Sequence, residues 1–463
     1  MEIISCILCF ILVIKSASNQ RNKYLIFKFR TNINLNEINE ENYIPTALNQ
    51  NIYIDFEIGD PPQTIPMTIK AWQYPTYVIS NEVQDKIEVK YNPYKSKTYK
   101  NVTKSLISGL YKYDFTKGYL SNDIFNINSL SLNFNFMLAI ENGMRSKNIS
   151  GEIGLSRVNE HEENNIEEYS YIGDPPKTYF MKQLLDKKLI QNKIFGIIYD
   201  TEYEGRLIFG GYLHQVDNNY KPNEMIANYI DNDVIDNNRQ KWMMKFEVKC
   251  ISAEDNTIIY FDDSYGFFLY EMGLIIGSTH FMNTIIDGYF NNRGCNKTGQ
   301  NLIQYYCSKE EQFEDFPNIT LSYYGKYLFI LTKNDLIKKI GNKYFFLIVF
   351  EQLINVEINY WRIGQPFFRK YSVFLKDGEK SYEMAYYLKK DITNNKDYKN
   401  KINIQNVVIV VLCCILIILI TAIIIYFTKF YKKTRKKRII ELKDDEYEYN
   451  PNDIPKVGLL AEN

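Results

Sequence analysis

The side chains that could take part in acid–base chemistry follow short apolar runs. Lys70 closes the alternating segment TIPMTIK, Asp262 follows the run IIYF, and Glu271 follows FFLY. Two carboxylates held about 3 Å apart can share one proton and activate a water molecule between them. A charged lysine has no lone pair that could accept a proton. A site built on Lys70 therefore lacks the chemistry that a carboxylate would supply at the same place.

Other kinds of catalytic chemistry have no pattern in this sequence. It contains no cluster of metal-ligating residues, no phosphate-binding glycine loop and no serine–histidine arrangement. The histidines are scattered, and we expect each to be a surface or capping residue: His161, His214 and His280. We therefore expect no metal site and no cofactor.

Length and composition predict a globular chain without an overall charge. The 463 residues are 45% hydrophobic and 15% aromatic, which is enough for two packed lobes. The 55 basic and 55 acidic side chains cancel. No net field favours nucleic acid, so we expect no nucleic-acid partner.

The region 51–80 predicts a β-hairpin. Apolar residues alternate along two segments, which are separated by the turn sequence GDPPQ. The alternating residues are Ile52, Ile54, Phe56 and Ile58 in the first segment, and Ile65, Met67 and Ile69 in the second.

This hairpin resembles the first hairpin of pepsin-like aspartic peptidases. That family has I-G-T-P-P-Q, a second strand, and then D-T-G-S-S-x-L-W-V-P-S. We align Ile58 to Gln63 with the first motif and Val78 to Ser80 with the end of the second. The alignment of the residues between these two segments is then fixed. Lys70 then stands at the first catalytic aspartate, and Ala71 and Trp72 replace the small threonine–glycine pair.

The second catalytic motif of the family is also altered. The sequence LIIGS followed by HFMNTIIDGYF resembles the segment after D-T-G-T-S, and counting back from Gly277 places Leu269 at the second aspartate. Glu271 then occupies the glycine position. It lies two residues from Leu269, about 6.6 Å along a strand, so it cannot simply replace the aspartate. In an alternative register Asp262 supplies the acid, although Tyr260 to Ser264 is as easily a turn between strands.

The resemblance extends over most of the chain, from about residue 41 to 387. LYKYDFTKGYLSNDIF resembles the flap hairpin, with Tyr111 at the flap tyrosine and Gly118 at the glycine that closes the hairpin. WRIGQPFFRKYSVF resembles the specific motif W-I-L-G-D-x-F-x-R-x-Y-x-V-F. The resemblance implies a mainly β, bilobal fold with a six-stranded sheet between the lobes.

Both ends of the chain carry apolar segments. Ile3 to Ile14, followed by small residues, predicts a cleaved secretory signal, and Val407 to Phe427 predicts one transmembrane helix about 31 Å long. The cationic cluster KFYKKTRKKR after it indicates a cytoplasmic tail, hence a single-pass type I topology. The predicted organisation is signal peptide 1–18, remnant pro-segment 19–40, N-terminal lobe 41–204, C-terminal lobe 205–387, stalk 388–404, transmembrane helix 405–428 and cytoplasmic tail 429–463.

The resemblance also bears on the cysteines. Family members often carry a disulfide in the C-terminal lobe, so we expect a bridge between Cys295 and Cys307. Cys250 lies in an alternating segment and is expected to be a buried free thiol. Four N-x-S/T sequons suit a glycosylated lumenal surface: Asn101, Asn148, Asn296 and Asn318.

Two functions follow from these expectations. In the first, the chain is a membrane-anchored pseudoprotease of the secretory pathway, whose lumenal or extracellular cleft binds peptide or protein without hydrolysis, because Lys70 and Leu269 replace both aspartates. In the second it is an active aspartic endopeptidase. The second function requires both registers to be wrong, or an acid recruited from elsewhere.

Overall fold

The computed structural model describes most of the chain up to residue 389. The described residues are 24–31, 38–71, 75–84, 87–103, 107–111, 114–142, 149–156, 175–231, 242–323, 327–352, 360–378, 381–389, 420 and 423–432. The chain divides into two compact units, residues 1–389 and 390–463.

Strands dominate the first unit. Those up to residue 210 are β1 (Leu25–Thr31), β2 (Ile52–Ile58), β3 (Gln63–Lys70), β4 (Tyr77–Ile79), β5 (Lys100–Asn101), β6 (Ile107–Tyr111), β7 (Asp114–Ile127), β8 (Leu130–Asn142), β9 (Gly151–Gly154), β10 (Ile194–Tyr199) and β11 (Glu204–Phe209). Those that follow are β12 (Ile226–Asp231), β13 (Met243–Ile251), β14 (Ile258–Phe268), β15 (Ile275–Gly277), β16 (Asn296–Thr298), β17 (Leu302–Cys307), β18 (Asn318–Tyr323), β19 (Tyr327–Leu331), β20 (Ile337–Ile340), β21 (Lys343–Phe346), β22 (Ile348–Glu351), β23 (Tyr360–Ile363), β24 (Tyr371–Asp377) and β25 (Ser381–Leu388).

Helices are short and lie between the strands. They are α1 (Tyr43–Leu48), α2 (Pro175–Thr178), α3 (Phe180–Asp186), α4 (Leu213–Val216), α5 (Thr279–Phe281), α6 (Asp287–Asn291), α7 (Lys333–Leu336) and α8 (Gln365–Lys370). A π-helical turn, Met282–Ile286, connects α5 to α6.

The predicted first hairpin is confirmed. β2 and β3 pair antiparallel from Tyr53 opposite Thr68 to Ile58 opposite Gln63. The apolar residues that predicted the two strands are all buried. Burying each such side chain stabilises the fold by roughly 1.5 to 3 kcal/mol, which explains why alternation located both strands.

A six-stranded antiparallel sheet joins the two halves of the first unit. Its order is β12-β25-β24-β10-β11-β1, and at β1 it continues into the strands of the N-terminal half as part of a 14-stranded sheet. A separate 11-stranded sheet contains most of the C-terminal half. The mainly β architecture is therefore confirmed. The predicted lobe boundary at residue 204 falls at the first residue of β11, inside this joining sheet.

One strand arrangement occurs twice. The order β3-β9-β4-β8 in the first sheet has pairings that are parallel, antiparallel and parallel. The order β14-β23-β15-β22 in the second sheet has the same three pairings. In each copy an antiparallel hairpin, β2-β3 or β13-β14, leads into the arrangement. The first unit thus contains the same strand arrangement in each of its two halves.

The ends of the chain are described only in part. The predicted signal peptide lies outside the described residues. In the predicted pro-segment, Leu25–Thr31 forms β1. Of the predicted membrane span, Ile420 and residues 423–428 are described, and residues 423–432 are helical and exposed. Among the described residues, no helix has both the length and the apolar character needed to cross a membrane.

Candidate active-site positions

Lys70 is the last residue of β3. It pairs with Gly154 on the parallel strand β9, and its carbonyl accepts a 2.9 Å hydrogen bond from the amide of Leu155. Its side chain is half-buried, and Nζ donates to Oδ1 of Asn51 over 3.0 Å. The ammonium is therefore held against the start of β2 by a neutral amide.

Leu269 is the first residue after β14. Its amide donates to the carbonyl of Ile363 over 2.9 Å, next to Gly364. Its half-buried side chain packs against an apolar cluster that contains Tyr43 and Ala47 of α1. An apolar group and a helix thus surround this position.

The ladders make Lys70 and Leu269 equivalent in the two halves. Lys70 lies opposite Gly154, and extending the parallel ladder of Phe268 and Ile363 by one residue places Leu269 opposite Gly364. The antiparallel pairings in the two halves give the same correspondence between Lys70 and Leu269. The residue seven positions after Lys70 is Tyr77, which pairs with Glu152, two residues before Gly154. The residue seven positions after Leu269 is Ile276, which pairs with Arg362, two residues before Gly364.

Tight backbone packing fixes the loop after Leu269. The amide of Gln365 donates to the carbonyl of Met272 over 2.8 Å. The amide of Gly273 donates to the carbonyl of Ala47 over 2.8 Å. A Cβ atom on Gly364 would lie 1.8 Å from the carbonyl oxygen of Leu274. Only glycine allows this approach, so Gly364 is required by the crossing of β23 beside the loop.

Asp262 lies far from this position. The interpretation of Tyr260 to Ser264 as a turn is wrong, because these residues lie within β14, which continues to Phe268. The alternating bulky residues of this segment fit a strand packed against β13. Asp262 Oδ2 accepts hydrogen bonds from the hydroxyls of Tyr260 and Ser264. Seven residues of extended strand separate Asp262 from Leu269, about 23 Å.

Family comparison agrees with this architecture. The family model described as "Eukaryotic aspartyl protease" matches residues 51–386, which include both copies of the repeated arrangement. The chain belongs to the eukaryotic aspartyl protease family. No curated protein matches the chain.

Glu271 is buried within the aspartyl protease domain, with 7% of its surface exposed. The Tyr199 hydroxyl donates to the carbonyl of Tyr270 over 3.4 Å. Burial raises the pKa of Tyr199 well above its ordinary value; the charge of Arg369 opposes this shift and that of Glu271 adds to it. The pKa of Tyr270 is also raised, by burial, by Tyr386 and by Glu271. The charge of Glu271 thus disfavours ionisation of two buried phenols.

The predicted flap is a hairpin of β6 and β7. Tyr111 pairs with Asp114 beside the tip, while Trp72 of the first loop lies outside the described residues. Gly118 pairs with Ile107 at the end of this hairpin away from the tip, so it closes the ladder of β6 and β7 as predicted. It lies inside β7, where the ladder with β8 shifts register and a Cβ atom would lie 2.2 Å from the carbonyl oxygen of Leu138. Gly118 is therefore needed for strand packing.

The cysteine predictions are confirmed. Cys295 and Cys307 form a disulfide with a Cα–Cα distance of 4.5 Å. Cys250 is a buried free thiol on β13, and burial raises its pKa to about 12.

The predicted glycosylation sites differ in exposure. Asn101 and Asn296 are exposed, and Asn318 is half-buried at the start of β18. Asn148 lies outside the described residues. In the part of the chain that is described, no group of acidic, histidine or cysteine side chains could hold a metal ion.

Sequence reasoning missed a charged cluster that links distant segments. Glu202, between β10 and β11, accepts hydrogen bonds from Lys338 on β20 and forms a 3.1 Å ion pair with Arg369 on α8. Burial alone would raise the pKa of Glu202, but Arg369 and Lys338 more than offset this effect, so its pKa is lowered. The motif containing Arg369 was recognised, but its partner lies 167 residues earlier in the sequence.

Proposed function

We propose that this chain is a membrane-anchored pseudoprotease. Its aspartyl protease domain binds a peptide or protein in the lumen of the secretory pathway or at the cell surface, and does not hydrolyse it. The proposal rests above all on the equivalence of Lys70 and Leu269, because their ladder partners match in both halves. In the family, the resemblance assigns these positions to the two catalytic aspartates.

The chemistry at the two positions supports the absence of hydrolysis. The shared-proton mechanism needs two carboxylates that activate one water molecule. Lys70 contributes an ammonium hydrogen-bonded to Asn51, and Leu269 contributes an apolar side chain packed beside α1. Neither group can accept a proton from water.

An active aspartic endopeptidase is the alternative function, and the placement of the nearby acids argues against it. Asp262 is about 23 Å along the strand from Leu269. Glu271 is buried and lies two residues beyond Leu269. Either acid would need a second carboxylate at sharing distance.

The proposed topology is single-pass type I. The apolar segments at both ends and the cationic cluster after residue 428 support it. The disulfide between Cys295 and Cys307 suits an oxidising compartment, and the exposed Asn101 and Asn296 are accessible to glycosylation.

The test is to recover ligands and examine their integrity. The purified full-length protein is incubated with a mixture of random octapeptides, and the retained peptides are eluted and weighed by mass spectrometry. We expect retention of intact peptides across acidic and neutral pH. Truncated peptides that appear only with active protein, and disappear with an aspartic-peptidase inhibitor, would establish the alternative function.

A further inference from the structure

The ammonium of Lys70 lacks a counter-ion in the described structure. Its side chain is half-buried, and its hydrogen bond is to the neutral amide oxygen of Asn51. Among the described residues, no carboxylate oxygen lies within 4.0 Å of Lys70 Nζ. Removing an ammonium from water without a paired charge is costly. A lysine ammonium carries three donors, so two remain for another molecule.

Some partly buried lysines elsewhere in this protein have acidic partners. Lys338 and Lys370 are about a fifth to a quarter exposed, and they pair with Glu202 and Asp335. Lys245 also pairs, with Asp263. Lys70 differs from these three lysines because its hydrogen-bond partner is a neutral amide.

The equivalent position in the other half offers a different surface. Leu269 is half-buried against apolar residues and presents no polar side-chain atom. The two equivalent positions thus combine one unpaired cation with one apolar side chain. A ligand that matches both positions needs a negative group and an apolar group.

We propose that Lys70 binds a carboxylate of the peptide ligand, while an apolar ligand side chain packs against Leu269. This inference rests on the proposed function, since it concerns the same positions. The carboxylate could be the C-terminus of a peptide or the side chain of an aspartate or glutamate. Both sources offer the oxygen acceptors that an ammonium binds in a charge-assisted hydrogen bond.

The test compares three pools of apolar octapeptides that carry the same zwitterionic dye. The first pool is neutral with an amidated C-terminus, the second has a free C-terminal carboxylate, and the third has one internal aspartate and an amidated C-terminus. Binding to the full-length protein is measured by fluorescence polarisation. We expect one or both carboxylate pools to bind about tenfold or more tightly than the neutral pool. The pool that binds more tightly than the neutral pool identifies the source of the carboxylate.

Variants of Lys70 separate the effect of its charge on binding from the effect of its shape. Lys70→Met keeps most of the length of the side chain and removes the charge, and we expect it to abolish the preference for carboxylates. Lys70→Arg keeps the charge and should retain most of the preference. A second measurement needs no variant: the preference in the wild-type protein should fall as the ligand carboxylate is protonated, below about pH 4.

Each outcome has a distinct meaning. Equal binding of all three pools by wild-type protein, unchanged in Lys70→Met, would overturn the carboxylate site and leave peptide binding intact. Failure of every pool to bind would overturn the proposed function, and the carboxylate site with it. Cleavage of the bound peptides would overturn the proposed function alone.

Discussion

Lys70 and Leu269 occupy the same position in the two halves of the first unit: Lys70 pairs with Gly154 at the end of one parallel ladder, and Leu269 and Gly364 directly follow the last pair of the other. The seventh residue after Lys70 pairs with the residue two positions before Gly154. The seventh residue after Leu269 likewise pairs with the residue two positions before Gly364. The equivalence comes from backbone pairing alone. It therefore supports the alignment of these residues independently of side-chain similarity.

The crossing at Gly364 should tolerate no side chain. In Gly364→Ala the new Cβ atom would lie 1.8 Å from the carbonyl oxygen of Leu274, so the loop after Leu269 must shift. We expect a loss of about 1 to 3 kcal/mol in the free energy of unfolding. Gly288→Ala is the control, because no atom lies within 4 Å of its added Cβ in α6. Thermal midpoints that fall equally in both variants would contradict the close approach.

The cluster around Glu202 should contribute stability that depends on pH. The folded pKa of Glu202 is lowered, so its contribution is present above the ordinary value of 4.5 and is lost as pH falls through the folded pKa. Glu202→Gln should therefore lower the thermal midpoint at neutral pH, by an amount equivalent to roughly 1 to 3 kcal/mol. The difference should shrink at lower pH. Asp55→Asn, in an exposed pair with Arg30, should have little effect.

Cys250 should resist alkylation in the folded protein. Burial raises the pKa of its thiol to about 12, so the reactive thiolate is scarce at neutral pH and the sulfur is inaccessible. Peptide mapping after treatment with iodoacetamide should find Cys250 unmodified in native protein and modified after unfolding in guanidinium. Rapid labelling of native protein would contradict the burial of β13 at this residue.

Sequence alone could predict the parts of the fold that depend on short spacings. Alternation located β2 and β3, and counting back from Gly277 in the family motif selected Leu269, which directly follows β14 in the structure. The contact between Lys70 and Asn51 could also have been found, because extending the register of Tyr53 opposite Thr68 by two residues places them opposite each other.

Other features depend on distant partners and had no local signal. Asp262 was considered as a strand end, but β14 continues through Tyr265 and Gly266 because β13 and β23 pair with it. Gly118 belongs to the flap hairpin, where it pairs with Ile107, but the close approach that requires a glycine there comes from the neighbouring strand β8. The α1 helix beside Leu269 is only six residues long and is stabilised by packing on the apolar cluster.

The proposed topology predicts which parts of the chain a protease can reach. On intact microsomes, added protease should remove the region from Glu441 onwards and spare the domain before Val407. The protected fragment should shrink when N-glycans are removed, and replacing Asn101 and Asn296 by glutamine should reduce that shift. Digestion of the region between Asn101 and Asn318, with protection of the tail, would reverse the orientation.

Hydrolysis by the unmodified protein is the most direct measurement of the central claim. Purified full-length protein is incubated with a denatured protein substrate across acidic and neutral pH, with an active aspartic peptidase as positive control. A statine-type inhibitor is titrated in parallel, because its hydroxyl gains affinity from two carboxylates. Here that hydroxyl would meet Lys70 and Leu269, at a cost of roughly 1 to 3 kcal/mol where it stays unpaired. We predict no cleavage and no inhibitor binding. Cleavage that the inhibitor abolishes would contradict the assignment of Lys70 and Leu269 to the catalytic positions.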